Sequence, residues 1–249
     1  IRTGTISFIS MDTEYPGNIY NPVVPFSQLS PVEKYNLLKS NVDELKLIQV
    51  GITLSDANGN LPELVIKGEW FRVLWQFNFS DFDRNRDRYA RASIQLLVNS
   101  GIDFERNLEL GIRSIDFDEL LMSSGLVCNG SVSWVTFQGA NNIGYLLKIL
   151  RGRNLPDSLD VFYDFVKMFF GGKLYDVKCL MRHFHNLHGG LDQVVGQLSL
   201  VRVAGRQHQA GDSNSQPSDS LLTCHLFYNM RNGYFVNGVL DAGVLHGST

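Results

Sequence analysis

Residues 8–17 read "FISMDTEYPG". The apolar run predicts a buried β-strand over residues 5–13, and Pro16 and Gly17 end any ladder there. Side chains on a strand alternate between faces, so Asp12 and Glu14 project from one side while Met11 and Thr13 point to the other. Two carboxylates aimed at one place disfavour each other's ionised form in a low-dielectric setting. A divalent metal removes that cost, whereas strand-end acids that simply face water have no such cost to remove. The D-x-E pair is weak on its own, as any short motif is. Support comes from "HQAG" at 208–211 followed by "SDSLLT" at 218–223, where Ser218 can cap a helix and place Asp219 in its first turn.

Outward from that strand, "SPVEKYNLLKSNVDELKL" (30–47) predicts a helix. Ser30 and Glu33 form a capping box, and Pro31 takes the first helical position. "LIQVGITLSD" (47–56) and "FRVLWQFNF" (71–79) read as two strands, joined through a turn at "ANGNLPELVIKGEW" (57–70). Residues 84–124 are mostly helical in pattern, broken near Gly101 and Gly111. "VSWVTFQG" (132–139) predicts a central strand, being largely apolar. The segments 141–150, 158–170, 175–184, 191–198 and 218–235 carry apolar residues at three- and four-residue spacing and predict helices. The order predicts an α/β fold, a mixed sheet flanked by helices. Residues 209–220, "QAGDSNSQPSDS", hold no large apolar side chain and predict a loop.

The chain has 249 residues, 44% of them hydrophobic, which is enough for one large core, so a single domain over 1–249 is expected. A formal charge of −3 argues against a broad basic surface for duplex nucleic acid but leaves room for a narrow single-strand channel. Cys128, Cys179 and Cys224 lie far apart, without the spacing of a zinc site or a disulfide framework, which fits a reducing compartment. No apolar run spans a bilayer and no signal peptide opens the chain, so no membrane association is expected. His183, His185 and His188 do not share a helix face and make a poor zinc group. "DFDRNRDRYAR" (81–91) interleaves acids and arginines in the manner of a solvated helix start.

Taken together, "ISMDTEYPG", "YNLLKSNVDELKLIQVGITLSDANGNLP", "LWQFNF", "SGIDFERN", "ELLMSSGLV", "VSWVTF", "GYLLKIL", "YDVKCLMR", "HGGLDQVVGQL" and "HQAG…SDSLLT" resemble, in order and over nearly the whole chain, the poly(A)-specific 3′-exoribonucleases of the Ccr-Not deadenylase complex, the Caf/Pop type, especially plant members. The resemblance implies a ribonuclease H-like fold and a DEDDh exonuclease site, in which four acids bind two Mg²⁺ or Mn²⁺ ions and a histidine assists the attacking water. By matching motifs, Asp12 and Glu14 are the first two acids, Asp219 the last, and His208 the histidine. It further implies single-stranded poly(A) RNA as substrate, a Not scaffold subunit and a Ccr nuclease subunit as partners, and a place in both cytoplasm and nucleus. The family's domain begins one helix earlier, its end matching Ile1-Arg2, so an N-terminal truncation is expected.

Two departures bear on chemistry. Where the family reads H-S-x-Y-D-F-G-Y after "WVTF", this chain reads "QGANNIGY", which puts Asn142 at the third metal-binding position, with Gln138, Gly139, Asn141 and Ile143 also changed. An amide oxygen can ligate a hard cation, but four carboxylates become three and the second ion is held less well. Second, the family's short H-Q-A-G-S-D run is lengthened by six residues, forming an insertion at about 209–218. The last acid is then Asp219, which keeps the helix start, or Asp212, which is nearer His208; Asp219 is preferred. These departures also admit a second reading, a catalytically impaired scaffold that keeps the fold and partner surfaces.

Overall fold

The computed structural model describes residues 5–184, 187–198, 218–234 and 242–246. Strand β1 (Phe8–Glu14) leads into a loop and the 3₁₀ turn Phe26–Gln28, then helix α1 (Pro31–Glu44). Ser30 accepts from the Glu33 amide while Glu33 reaches back to the Ser30 amide, the capping box expected at this start. Next come β2 (Gln49–Ser55), β3 (Glu63–Ile66), β4 (Glu69–Arg72) and β5 (Trp75–Asn78), followed by α2 (Arg91–Asn99), α3 (Phe104–Leu110) and α4 (Ser114–Ser123). Then β6 (Ser133–Thr136) runs into α5 (Ala140–Arg151) and α6 (Leu159–Phe170). The last elements are β7 (Leu174–Asp176), the short α7 (Val177–Leu180), α8 (Leu191–Gln197) and α9 (Asp219–Tyr234).

Five strands form one sheet in the order β5-β2-β1-β6-β7, with β1 in the middle. β2 runs antiparallel to β1 and to β5, whereas β6 is parallel to β1 and to β7. Alternation along β1 decides what each face meets. Ile9 and Met11 enter the larger core with Val50, Ile52 and Trp134, under Tyr35, Leu38 and Val42 of α1, Leu146 and Leu147 of α5 and Phe162 of α6. Phe8 packs on Phe227 and Tyr228 of α9, in a second core with Val135 and Phe137. Asp12 and Glu14, in phase with Phe8, belong to the α9 side.

That side is built for close approach. β2 offers it Gly51, Thr53 and Ser55, and the last two bond Ser220 Oγ (2.9 Å) and Tyr228 Oη (3.2 Å) of α9. A side chain at Gly51 would come within 2.7 Å of Ser218 Oγ, so only glycine lets the start of α9 sit this low over the strand paired with Asp12.

The structure differs from expectation in three elements. Residues 57–70 hold more than a turn: β3 and β4 form a separate hairpin through Lys67 (φ 51°) and Gly68 (φ 85°), a primed-type turn without its usual Asn-Gly or Asp-Gly signature. The single strand expected at 71–79 is divided between β4 and β5. The helix expected at 175–184 contains the end of a strand instead: β7 covers Leu174–Asp176, and only one turn of α-helix and one of 3₁₀ follow. The expected strand at 132–139 is buried at every residue of β6, as predicted. The predicted loop at 209–220 lies, up to residue 217, outside the described residues.

The end of β7 fixes the end of β6. Asp176, 1% exposed, accepts through Oδ1 from the Gln138 and Lys178 amides (3.0 and 2.9 Å) and through Oδ2 from the Gly139 and His246 amides (both 2.8 Å). One carboxylate thereby joins the β6–α5 turn, the start of α7 and residues 242–246. Burial pushes its carboxyl upward, and the backbone donors draw it back. Asp176→Asn turns an NH₂ toward two backbone donors and should destabilise the protein by about 3 kcal/mol or more. Urea unfolding of the two proteins measures this, and a difference below about 1 kcal/mol would rule out the clamp.

Candidate metal centre

β1 pairs with β6 only from Phe8 to Ser10, so beyond Ser10 the two parallel strands separate at their carboxyl ends, where open α/β sheets place their ligands. Asp12 and Glu14 stand at this opening, Asn142 enters from the first turn of α5, and Asp219 from the first turn of α9. One carboxylate oxygen each from Asp12, Glu14 and Asp219 lies within 4.8 Å of the others. The structure therefore brings four of the residues singled out from sequence, Asp12, Glu14, Asn142 and Asp219, into one place. His208 and Asp212 lie outside the described residues.

Asn142, 4% exposed, has a fixed orientation. Its Nδ2 donates to Asp12 Oδ1 (3.1 Å), and its Oδ1 accepts from Thr13 Oγ1 (2.8 Å). The reverse orientation would set two oxygens against each other, so the amide presents a donor to Asp12. Acting as an oxygen ligand would require the amide to turn and give up Thr13. Gly139 governs the approach: a Cβ there would fall 2.1 Å from Thr136 Oγ1, so the tight exit from β6 that carries α5 to Asp12 excludes any side chain. Tyr15 stacks on Tyr145 at 5.1 Å between centroids and accepts at its hydroxyl from Asn141 Nδ2 (2.9 Å).

Residues 3–119 match the CAF1 family ribonuclease model. The probable CCR4-associated factor 1 homolog 7 of Arabidopsis thaliana is 44% identical over 241 residues, 96% of this chain and 84% of the relative. The chain belongs to the CAF1 ribonuclease family. The poly(A) ribonuclease pop2 of Schizosaccharomyces pombe is 41% identical over 238 residues, 96% of this chain and 66% of that protein. Among solved structures, S. pombe Pop2p in its Mg²⁺- and Mn²⁺-bound form superposes with a TM-score of 0.81 at 38% identity, covering 97% of this chain and 90% of the other. Yeast CAF1, co-crystallised with the NOT1 MIF4G domain, gives a TM-score of 0.72 at 29% identity, with 96% and 87% covered. The ribonuclease H-like reading of the fold agrees with these neighbours.

The electrostatics of a CAF1-family centre with three carboxylates and an amide follow from burial. Desolvation first, then the charges of Glu14 and Asp219, push the Asp12 carboxyl well above the ordinary carboxylate range, while the Asn142 amide draws it back in part. Glu14 is pushed up to about 7, by burial and then by Asp219. Carboxyls held so far from their ordinary values are a donor set short of positive charge, and hard oxygen donors of this kind fit Mg²⁺ or Mn²⁺.

Sequence reasoning missed Thr13, Tyr15 and Asp176 as supports of the site. Asp176 had a signal in the run Tyr175-Asp176-Val177-Lys178, where an Asp can cap a following helix, and its side chain does accept from Lys178 N. The helical periodicity of 175–184 obscured it.

The Glu14 shift sets the sign of a pH effect. Its folded value lies above its unfolded one, so its contribution is fully present below about pH 4.5 and is lost as pH rises through about 7. In metal-free protein with chelator, Glu14→Gln should therefore stabilise at pH 8 by up to about 3 kcal/mol, with most of that gain gone by pH 5. Thermal melts at the two pH values decide it, and a gain independent of pH would contradict the assignment.

Proposed function

We propose that this chain is a metal-dependent 3′-to-5′ exoribonuclease that shortens the poly(A) tails of messenger RNA within a Ccr-Not-type complex. The observation that carries this reading is the convergence of Asp12, Glu14 and Asp219 at the carboxyl end of β1 in a CAF1-family fold. The poly(A) ribonuclease activity named for pop2, the ions named for Pop2p and the NOT1 partner of yeast CAF1 support substrate, cofactor and scaffold in turn. A Ccr nuclease subunit is the further partner that this assembly implies.

In the proposed site Asp12, Glu14 and Asp219 would hold the cations, with Asp12 shared between them and Glu14 and Asp219 serving the first. Mg²⁺ or Mn²⁺, when bound, supplies an activated water and a countercharge for the leaving oxyanion. His208 would serve as the proton acceptor for the attacking water. Asn142 holds Asp12 through its amide hydrogen and leaves the second cation position one carboxylate short. That hydrogen bond favours slow turnover, and it is also what supports the second reading, a scaffold subunit with impaired catalysis.

Two comparisons test the assignment, both reading AMP release from 3′-oligo(A) RNA with Mg²⁺ or Mn²⁺. Asn142→Asp should raise metal affinity and release by roughly tenfold or more, and should lower metal-free stability by about 1–3 kcal/mol because a fourth carboxylate joins the cluster. An unchanged metal titration would remove Asn142 from the site. Asp219→Ala should abolish metal-dependent release in a protein that still melts cooperatively, while Asp212→Ala should leave it within about twofold. The opposite ranking would move the last ligand to Asp212.

A further inference from the structure

The run "DFDRNRDRYAR" (81–91) interleaves acids and arginines in sequence, and the structure sorts them. It forms turns ahead of α2 rather than a helix start, and its carboxylates face inward. Asp81 accepts from the amide and hydroxyl of Ser114 (2.8 and 2.9 Å). Asp83 accepts from the Asn85 amide (2.8 Å), and Asp87 from the Asp83 amide (2.7 Å) and from Lys46 (2.9 Å). The arginines go outward. Arg86, Arg88 and Arg91 are all exposed, the Arg86 side chain at 86% against 20% for Asp83 and 18% for Asp87. Arg84 instead lies over the Phe104 ring beside Glu105. What reads as a balanced polar run is a narrow positive strip.

Its contacts carry this strip to the rim of the carboxylate cluster. The Ala90 amide donates to the Pro16 carbonyl (2.9 Å), two residues past Glu14, and Gly17 (φ 77°) leaves no room for a side chain against Ser93 of α2. From Glu14 to Arg88 the path is two residues, one hydrogen bond and two residues, roughly 20 Å at its longest. Arg88 in turn lies over Tyr20, its guanidinium carbon 5.4 Å from the ring centroid, and Nη1 donates to the Tyr20 hydroxyl (3.1 Å). The ring is partly exposed on a backbone held by buried Asn41, whose Oδ1 accepts from Tyr20 N and whose Nδ2 donates to Tyr20 O (both 2.9 Å). An aromatic fixed in this way gives up little freedom on binding. Arg88 also meets Glu44 and Arg86 meets Asp83 (both 3.3 Å), exposed pairs that a phosphate can replace. Arg91 opens α2, where the helix dipole disfavours a cation.

We propose that Tyr20, Arg86, Arg88 and Arg91 form a contact strip for single-stranded RNA upstream of its 3′ end, with Tyr20 and Arg88 as a stacking platform for a base and the arginines as phosphate contacts. The inference rests on the exoribonuclease reading for its substrate class and deepens it. A 3′-to-5′ enzyme holds the 3′ end at its metals, so the rest of the strand leaves over the rim of that site. Guanidinium groups pair with phosphate oxygens in a forked geometry, and an aromatic or guanidinium plane takes any base, so the strip reads charge and chain length rather than sequence. The Tyr20–Arg88 stack favours RNA over an acidic protein segment, because a nucleobase uses a flat face and a carboxylate does not.

The test is direct titration of the whole chain with labelled oligonucleotides at several salt concentrations, with chelator present to stop cleavage. Arg86→Gln, Arg88→Gln and Arg91→Gln together should weaken binding of an oligo(A) decamer about tenfold or more and cut the salt slope of log K by about 2, three contacts at ~0.7 each for a single strand. Tyr20→Leu should weaken it about fivefold and leave the slope as it was. An oligo(C) decamer should lose as much as oligo(A) in both variants, whereas a dinucleotide, too short to reach the strip, should change by less than about twofold. Lys67→Gln, Arg153→Gln and Lys167→Gln, which together remove three exposed cations elsewhere, should leave the decamer's slope unchanged. Affinity and slope untouched by the arginine changes would overturn the strip, and polyglutamate that binds the unmodified chain but not the arginine variant would then give this face to an acidic protein segment. An equal loss in the Lys67, Arg153 and Lys167 control would reduce the effect to net charge and overturn it too. An equal loss for the dinucleotide would overturn the upstream assignment. Decamer binding lost through the arginines, in a chain that releases no AMP from oligo(A) under any metal condition, would sink the nuclease reading and spare the strip.

Discussion

A carboxylate with two oxygens and four backbone donors is the constraint on which the working end of this molecule depends. Asp176 sits at the last residue of β7, and each of its oxygens accepts two N–H groups from segments far apart in sequence. The turn that leaves β6 could not otherwise bring two consecutive amides into the interior without partners. With them satisfied, α5 begins at a set height over the sheet, Asn142 reaches Asp12, and Gln138 and His246 are turned toward the same space. Lys148 acts comparably at the other side of α5, donating to the carbonyls of Val42, Asp43 and Leu45 where α1 ends.

The three acids show the opposite economy. Burial and the neighbouring carboxylates hold Asp12 and Glu14 above their ordinary values, and that rise measures a shortfall of positive charge. An amide at position 142 makes the metal-free cluster more tolerable, since it donates to Asp12 where a fourth carboxylate would repel it. What eases the empty site weakens its hold on a second dication. Folding stability and cation affinity therefore pull position 142 in opposite directions, as is common where function and stability meet in one side chain.

Much of this was legible in the sequence for identifiable reasons. The apolar run that opens residues 8–14 announced a strand, the alternation of side chains along a strand put its two acids on one side, and the Ser30–Glu33 spacing announced the helix, because these signals are local. Asp219 was readable from the helix start that follows Ser218. β7 was not, since three residues are too few for a period and the helical spacing after it dominates. The β3–β4 hairpin was hidden by a Lys-Gly turn, which relies on a left-handed lysine. The Thr13–Asn142 and Asp176 contacts join residues 129 and up to 70 positions apart, and no local pattern encodes such meetings.

The seating of α9 has a consequence for how such a chain can change over generations. Ser220 on Thr53 and Tyr228 on Ser55 lock this helix to β2 from its own first turn onward, above a glycine that lets it settle. The position of Asp219 is thus inherited from the sheet and owes little to the segment that arrives before it. Residues can accumulate upstream of Ser218 without shifting the acid, so this stretch is free to drift in length across lineages while the carboxylate it leads to stays in register.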